Sequence, residues 1–139
     1  MNNNNIILYS TNNAILKYYN NILYLDIITN VLDIDEIKIF IEYIINFFKY
    51  CNNNNLKIKI YYNLGNIKIT NIPIMDIFNN TKHLFMNLSE NDTECVMSFV
   101  VIVNNKILKE SLKLITKIIK PLKPFKITKS KDKAELFIN

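Results

Sequence analysis

The side chains with the most evident capacity for chemistry lie in the last third of the chain. Lys106, Lys109, Lys113, Lys117 and Lys120 recur at three- and four-residue spacing. On a helix turning about 100° per residue they project within roughly 80° of one another, with Ile107, Leu108, Leu112, Leu114, Ile115, Ile118 and Ile119 opposite. Such a stripe is either the solvated face of a surface helix or an anion-binding face. Beside an anionic membrane each lysine contributes up to about 1 kcal/mol, less when screened. No Trp or apolar wedge accompanies the stripe, so weak, peripheral and reversible membrane attachment is the most it supports. Nucleic acid is a poorer fit. All 17 basic residues are Lys, which removes bidentate Arg contacts, and the stripe carries no aromatic side chain on which a base could stack.

The other reactive residues are few. His83 is the single histidine, about two turns from Asp76 on an expected helix, a pattern that fits a helix-surface histidine better than a general base. Cys51 and Cys95 lack metal-ligand spacing and have no basic neighbour fixed beside them by sequence, so they read as inert thiols of a reduced chain. Gly65 is the only glycine, which excludes a Gly-rich phosphate loop. The expectation is no enzyme, no cofactor and no metal.

The elements that carry these residues follow from periodicity. Residues 14–19 and 22–29 are β-branched and aromatic runs joined by Asn20-Asn21, the pattern of a hairpin with a tight Asn turn. Asp33 and Glu36 form a capping-box pair ahead of a helix to about Tyr50, whose core face is Ile34, Ile37, Ile41, Ile44, Ile45 and Phe48. Phe40, Tyr43 and Phe47 widen that arc beyond a one-sided helix, which marks them as candidate contacts for a partner or a second copy. Leu56 to Tyr62 alternates as a half-buried strand, with Lys57 and Lys59 on the polar side. Pro73 suits the first position of a second helix, to about Leu88. Cys95 to Val103 is a continuous apolar run, expected as a central strand covered on both faces. A third helix from Asn104 or Asn105 ends before Pro121 and Pro124. Phe125 to Thr128 is a last short strand and Asp132 to Ile138 a last helical turn or two.

This order, β-β-α-β-α-β-α-β-α, specifies one α/β domain over residues 14–138, with a mixed, mostly parallel sheet and flanking helices. Residues 1–13 are a polar tail or an extra strand. Composition agrees: of 139 residues half are hydrophobic and 21% charged, with three Pro, which excludes collagen-like and strongly charged disordered chains. The net charge of +5 is uneven, −2 over residues 1–100 and +7 over 101–139. Asn and Ile make up about a third of the chain and Arg is absent, the signature of A/T-rich codons. A basic n-region with an apolar run and cleavage site is absent, and the segment 37–48 is interrupted by Lys38, Glu42 and Asn46. A cytoplasmic location is therefore expected.

The element order, the run Asn63-Leu64-Gly65-Asn66-Ile67 after its strand, and the ending Lys123-Pro124-Phe125-Lys126-Ile127-Thr128 before Lys131-Asp132-Lys133-Ala134-Glu135-Leu136-Phe137-Ile138 resemble a STAS domain. This is the fold of bacterial anti-sigma-factor antagonists. The resemblance implies a switch at the start of the helix after the third strand, an Asp-Ser-Ser-Gly turn whose phosphorylation breaks binding to a partner kinase. An ungapped register puts Asn71 at the acid, with Ile72 and Pro73 at the hydroxyls. Neither of those two accepts a phosphate, so the resemblance implies a retained fold and a lost switch, with Thr70 the nearest hydroxyl.

The function expected is a non-enzymatic interaction, regulatory or scaffold module with a protein partner, a second copy among the options. Candidate contacts are Phe40, Tyr43, Phe47, Asn71, Ile72 and Pro73. The alternative is a small-ligand or anionic-membrane-surface adaptor that uses the basic face of the third helix.

Overall fold

The computed structural model describes residues 5–28, 34–65, 94–106, 109, 110, 113 and 123–139. In these residues the strands are β1 (Ile6–Ser10), β2 (Ala14–Tyr19), β3 (Ile22–Ile27), β4 (Ile58–Gly65), β5 (Val96–Val103) and β6 (Phe125–Thr128). The helices are α1 (Ile34–Asn53) and α2 (Lys131–Ile138). The strands form one sheet in chain order, antiparallel from β1 to β3 and parallel from β3 to β6. The α/β class expected from sequence is therefore observed, with the antiparallel hairpin at one side of a parallel set. The helix expected from Pro73 lies outside the described residues. Of the third helix, Lys106, Lys109, Glu110 and Lys113 are described and helical, and the Lys109 N–H donates to Asn105 O at 2.9 Å.

Local sequence explains the turns. Asn20 and Asn21 sit at φ 51° and 64°, the left-handed pair a two-residue hairpin of this twist requires, and Asn tolerates that region better than most residues. Gly65 ends β4 at φ 56°, where its N–H donates to Asn63 Oδ1 at 3.0 Å. Ser130 caps α2: its Oγ accepts from Lys133 N at 3.2 Å.

Period-two alternation divides the apolar side chains between the two faces of the sheet. On one face Leu16, Leu23, Leu25, Ile58 and Ile60 pack against Phe40, Ile44, Phe47, Phe48 and Cys51 of α1. Burying each of the larger α1 side chains contributes about 2 kcal/mol, and together they hold a helix that crosses between two parallel strands. On the opposite face Ile22, Tyr61, Val100 and Ile102 pack against Ala134 and Ile138 of α2. A bulge at Met97, between the pairs Ile58–Val96 and Lys59–Ser98, resets the alternation of β5 and leaves Met97 exposed. The expectation that β5 is covered throughout its length therefore fails at this one residue.

Strand β1 is the element that the apolar periodicity did not specify. It pairs with β2 through Ile6–Tyr18, Ile7–Lys17, Tyr9–Leu16 and Ser10–Ile15, with a shift between Ile7 and Tyr9. Its connection to β2 is pinned to the start of α1. Thr11 Oγ1 donates to Glu36 Oε1 and Asn13 Nδ2 to Glu36 Oε2, both at 2.9 Å. Glu36 thus serves as a buried bridge between hairpin and helix as well as sitting in the helix's first turn, where the dipole favours a carboxylate.

Candidate functional site

The three aromatic residues expected to face a partner separate into two groups. Phe40 and Phe47 are 4% and 7% exposed, so they belong to the core and are not surface contacts. The reason is β1 and β2. Tyr9 meets Phe40 edge-on at 5.0 Å, and Tyr18 covers Phe47 at 5.0 Å, so the sheet curls over an arc that looked unpaired from periodicity alone. Tyr43 alone is exposed, its ring 4.9 Å from that of Tyr9. Asn71, Ile72 and Pro73 lie outside the described residues, as do Thr70 and His83. So do Lys117 and Lys120. Lys106 and Lys113 are exposed and Lys109 is half-buried, all three on helical backbone.

An apolar surface does exist, centred elsewhere. Ile6 and Ile7 expose 52% and 63% of their surface on β1, an outer strand of the sheet to which no described strand pairs on its far side. On the face that Ile6 shares through Tyr18, α1 presents Ile39, Tyr43 and Tyr50 along one side of the helix, whereas Ile7, opposite Lys17, lies on the other face of the sheet. The exposed residues of α1 and β1 are linked through the core: Tyr50 stacks on Phe47 at 6.1 Å, the buried Phe47 meets Tyr18, and Tyr18 is the cross-strand neighbour of Ile6. The signal available in the sequence was the run Ile6-Ile7-Leu8-Tyr9, β-branched and aromatic behind an Asn tract.

The two outer strands differ in kind. β6 has four residues, includes Lys126 and follows Pro124, features that discourage pairing. β1 has no charge and no Pro.

On the face of α2 a second cluster gathers Lys17, Tyr24, Asp26, Tyr61 and Glu135. Lys17 Nζ stands 5.4 Å from the Tyr24 ring centre, and the Tyr24 and Tyr61 rings are 5.4 Å apart. Burial pushes the Tyr61 phenol up to about 12, with Glu135, Asp26 and Tyr24 adding to the rise. Its hydroxyl is buried and has no hydrogen-bond partner among the described residues. At neutral pH the Tyr24 and Tyr61 phenols, both raised by burial, are protonated. Among the described residues no three His, Cys, Asp or Glu side chains gather in a metal-binding arrangement, and no helix is long and apolar enough to cross a membrane. Against family models, curated proteins and solved structures the chain finds no match.

Proposed function

We propose that this protein is a non-enzymatic interaction and scaffold module, and that its docking element is the outer strand β1 with the adjoining side of α1. The observation that carries the reading is the exposure of Ile6 and Ile7 on an uncharged outer strand. Proteins that remain monomeric cover or charge such a strand, as this chain does at β6. The occupant with matching chemistry is a second copy, because antiparallel β1–β1 pairing joins two identical uncharged strands and lets Tyr43 and Tyr50 of each copy flank the joint. A STAS-like architecture is part of the reading. It is supported by the consecutive parallel order of β3 to β6 with an antiparallel hairpin beside it, and the register that places Ile72 and Pro73 at the switch implies docking without phosphorylation control.

Sedimentation equilibrium of the full chain tests this. The wild type self-associates, and the double substitution Ile6→Lys with Ile7→Glu weakens association at least about tenfold, since charges replace apolar surface at the joint. Glu at position 7 faces Lys17, so the folded monomer tolerates it and retains its circular dichroism. A wild type that stays monomeric up to its solubility limit removes the proposal.

A second reading has one observation in its favour, the exposure of Lys106 and Lys113 on helical backbone. It makes the chain an adaptor for anionic surfaces. Co-sedimentation with phosphatidylserine vesicles, lost when all five stripe lysines become Glu, is the expected result; equal partition of both proteins eliminates it.

A further inference from the structure

Cys51 lies in the last turn of α1 and Cys95 immediately precedes β5, far apart in sequence and side by side in the fold. Both are buried, at 0% and 1% exposure, and both belong to the same apolar cluster. Cys95 is fixed against the helix end at two points. Its backbone N–H donates to Asn52 Oδ1 at 3.0 Å, and its Sγ approaches Phe48 O, one turn before Cys51, at 3.8 Å. Phe48 and Asn52 flank Cys51 at the end of α1, so both contacts set Cys95 against the helical turn that carries the Cys51 thiol. The chain beyond each residue is also held: Leu56 N donates to Cys51 O at 2.9 Å and Ile58 N to Cys95 O at 2.8 Å.

We propose that Cys51 and Cys95 form a reversible intramolecular disulfide that staples the end of α1 to the start of β5. A cysteine fixed by its backbone and its sulfur against the helical turn that carries a second buried thiol is placed to reach it by side-chain rotation, whereas an accidental pair of buried cysteines has no such fixation. The two sulfurs are unequal. The neighbouring Cys51 thiol holds the Cys95 thiol below the ordinary range against the opposing effect of burial, with Lys57 and Lys123 also lowering it, while the Cys95 neighbour and burial push Cys51 up. Lys57 is placed for this by its Nζ, which donates to Glu94 O at 3.3 Å.

Cys95 is thus the attacking thiolate and Cys51 the resolving thiol. The oxidant is a low-molecular-weight disulfide. The Cys95 sulfur attacks one of its sulfurs, that S–S bond breaks, and one small thiol leaves. Cys51 then releases its proton and attacks the Cys95 sulfur of the mixed disulfide, and the second small thiol leaves. Two protein thiols lose two electrons and two protons, and the small disulfide gains them. Because both thiols are buried, exchange requires a local opening of the helix end and strand start before the first step.

Equilibration of the full chain in glutathione buffers of stepped potential, in the native state and again in urea, tests the proposal. Acid quenching, alkylation and intact mass report the species. The expected native product has lost two hydrogen atoms, carries no glutathione, and regains both thiols with excess dithiol. Its formation constant in the native state exceeds that in urea by about a hundredfold or more, because folding holds the sulfurs together. Cys51→Ser is expected to stop at the Cys95–glutathione mixed disulfide. The proposal is overturned by a native formation constant equal to or below the urea value. Accumulation of singly glutathionylated wild type or of intermolecular disulfides overturns it as well. Because the comparison is made at equilibrium, slow access to the buried thiols leaves it intact.

Discussion

Lys59 Nζ donates to the carbonyl of Ile138 at 2.7 Å, so a strand in the middle of the sheet caps the C-terminal end of the last helix. The bond does two things. It satisfies a carbonyl that has no partner within the helix, and it places a cation at the negative end of the helix dipole. Lys59→Met keeps the buried stem and removes only the charge and the donor. The expected loss is about 1 kcal/mol of unfolding free energy, with faster hydrogen exchange confined to the amides of α2. An exchange increase spread over β4 and β5 would mean that the stem, not the ammonium, holds the helix.

Tyr61 poses the opposite case, a polar group whose removal is favourable. Its hydroxyl is buried between β4 and α2 with no hydrogen-bond partner among the described residues. Tyr61→Phe removes a desolvated donor while it keeps the ring contact with Tyr24, and is expected to be neutral or to stabilise by about 1 kcal/mol. The same group makes the fold sensitive to alkali. Its pKa is raised from 10 to about 12, so below pH 10 both states are protonated and stability is intact. As pH rises through that interval the unfolded chain ionises first and stability falls. Urea midpoints measured on both sides of pH 10 should fall more steeply for the wild type than for Tyr61→Phe.

Where the determinants are local, the sequence specifies the outcome. The Asn20–Asn21 turn needs two residues tolerant of positive φ, and Asn supplies both. β6 begins after Pro124 and ends before the Ser130 cap, so both limits are written in adjacent residues. Where determinants are distant, the sequence is silent. Lys59 does lie opposite Ile58 and Ile60, but the side expected to be polar also carries Tyr61 and packs against α2, and the partner of Lys59 lies 79 residues away. Phe40 and Phe47 looked available because helical periodicity reports the width of an apolar arc and not the number of strands that curl over it. Cys51 and Cys95 read as separate thiols for the same reason. The candidate surface was half legible: Tyr43 came from helix periodicity, whereas Ile6 and Ile7 gain meaning only once β1 is known to be an outer strand.

Glu36 should be among the residues least tolerant of change. Each of its oxygens accepts a hydrogen bond from the β1–β2 connection, and Thr11 Oγ1 also accepts from the backbone of Asn13 and Ala14. Glu36→Ala deletes the bridge and leaves two donors in a half-buried site. The expected cost is about 2–3 kcal/mol, read from urea unfolding, with rapid exchange of the β1 amides. Glu36→Gln retains one acceptor and is expected to cost less. Since β1 is also the proposed docking strand, Glu36→Ala should weaken self-association although the residue itself lies inside the protein. Unchanged association in a variant with a mobile β1 would separate docking from that strand.

The Cys51–Cys95 staple carries a stability consequence that can be read independently of its chemistry. Joining these residues closes a loop of about 45 residues, and the chain-entropy relation then gives a gain near ~4 kcal/mol if the native geometry is unstrained. Strain subtracts from that figure, so the measured gain reports how well the helix end and the strand start are pre-aligned. Urea titrations of the oxidised and reduced protein, analysed for midpoint and slope, separate the two contributions: a staple that acts on the unfolded chain lowers the slope as well as raising the midpoint, because the stapled unfolded state is more compact. Cys95→Ala abolishes the difference between oxidising and reducing conditions. It also leaves Asn52 Oδ1 bonded to the same backbone N–H, so the loss in the reduced state is limited to the thiol's packing, about 1 kcal/mol. A Cys95→Ala variant that still responded to redox potential would place the response at another group.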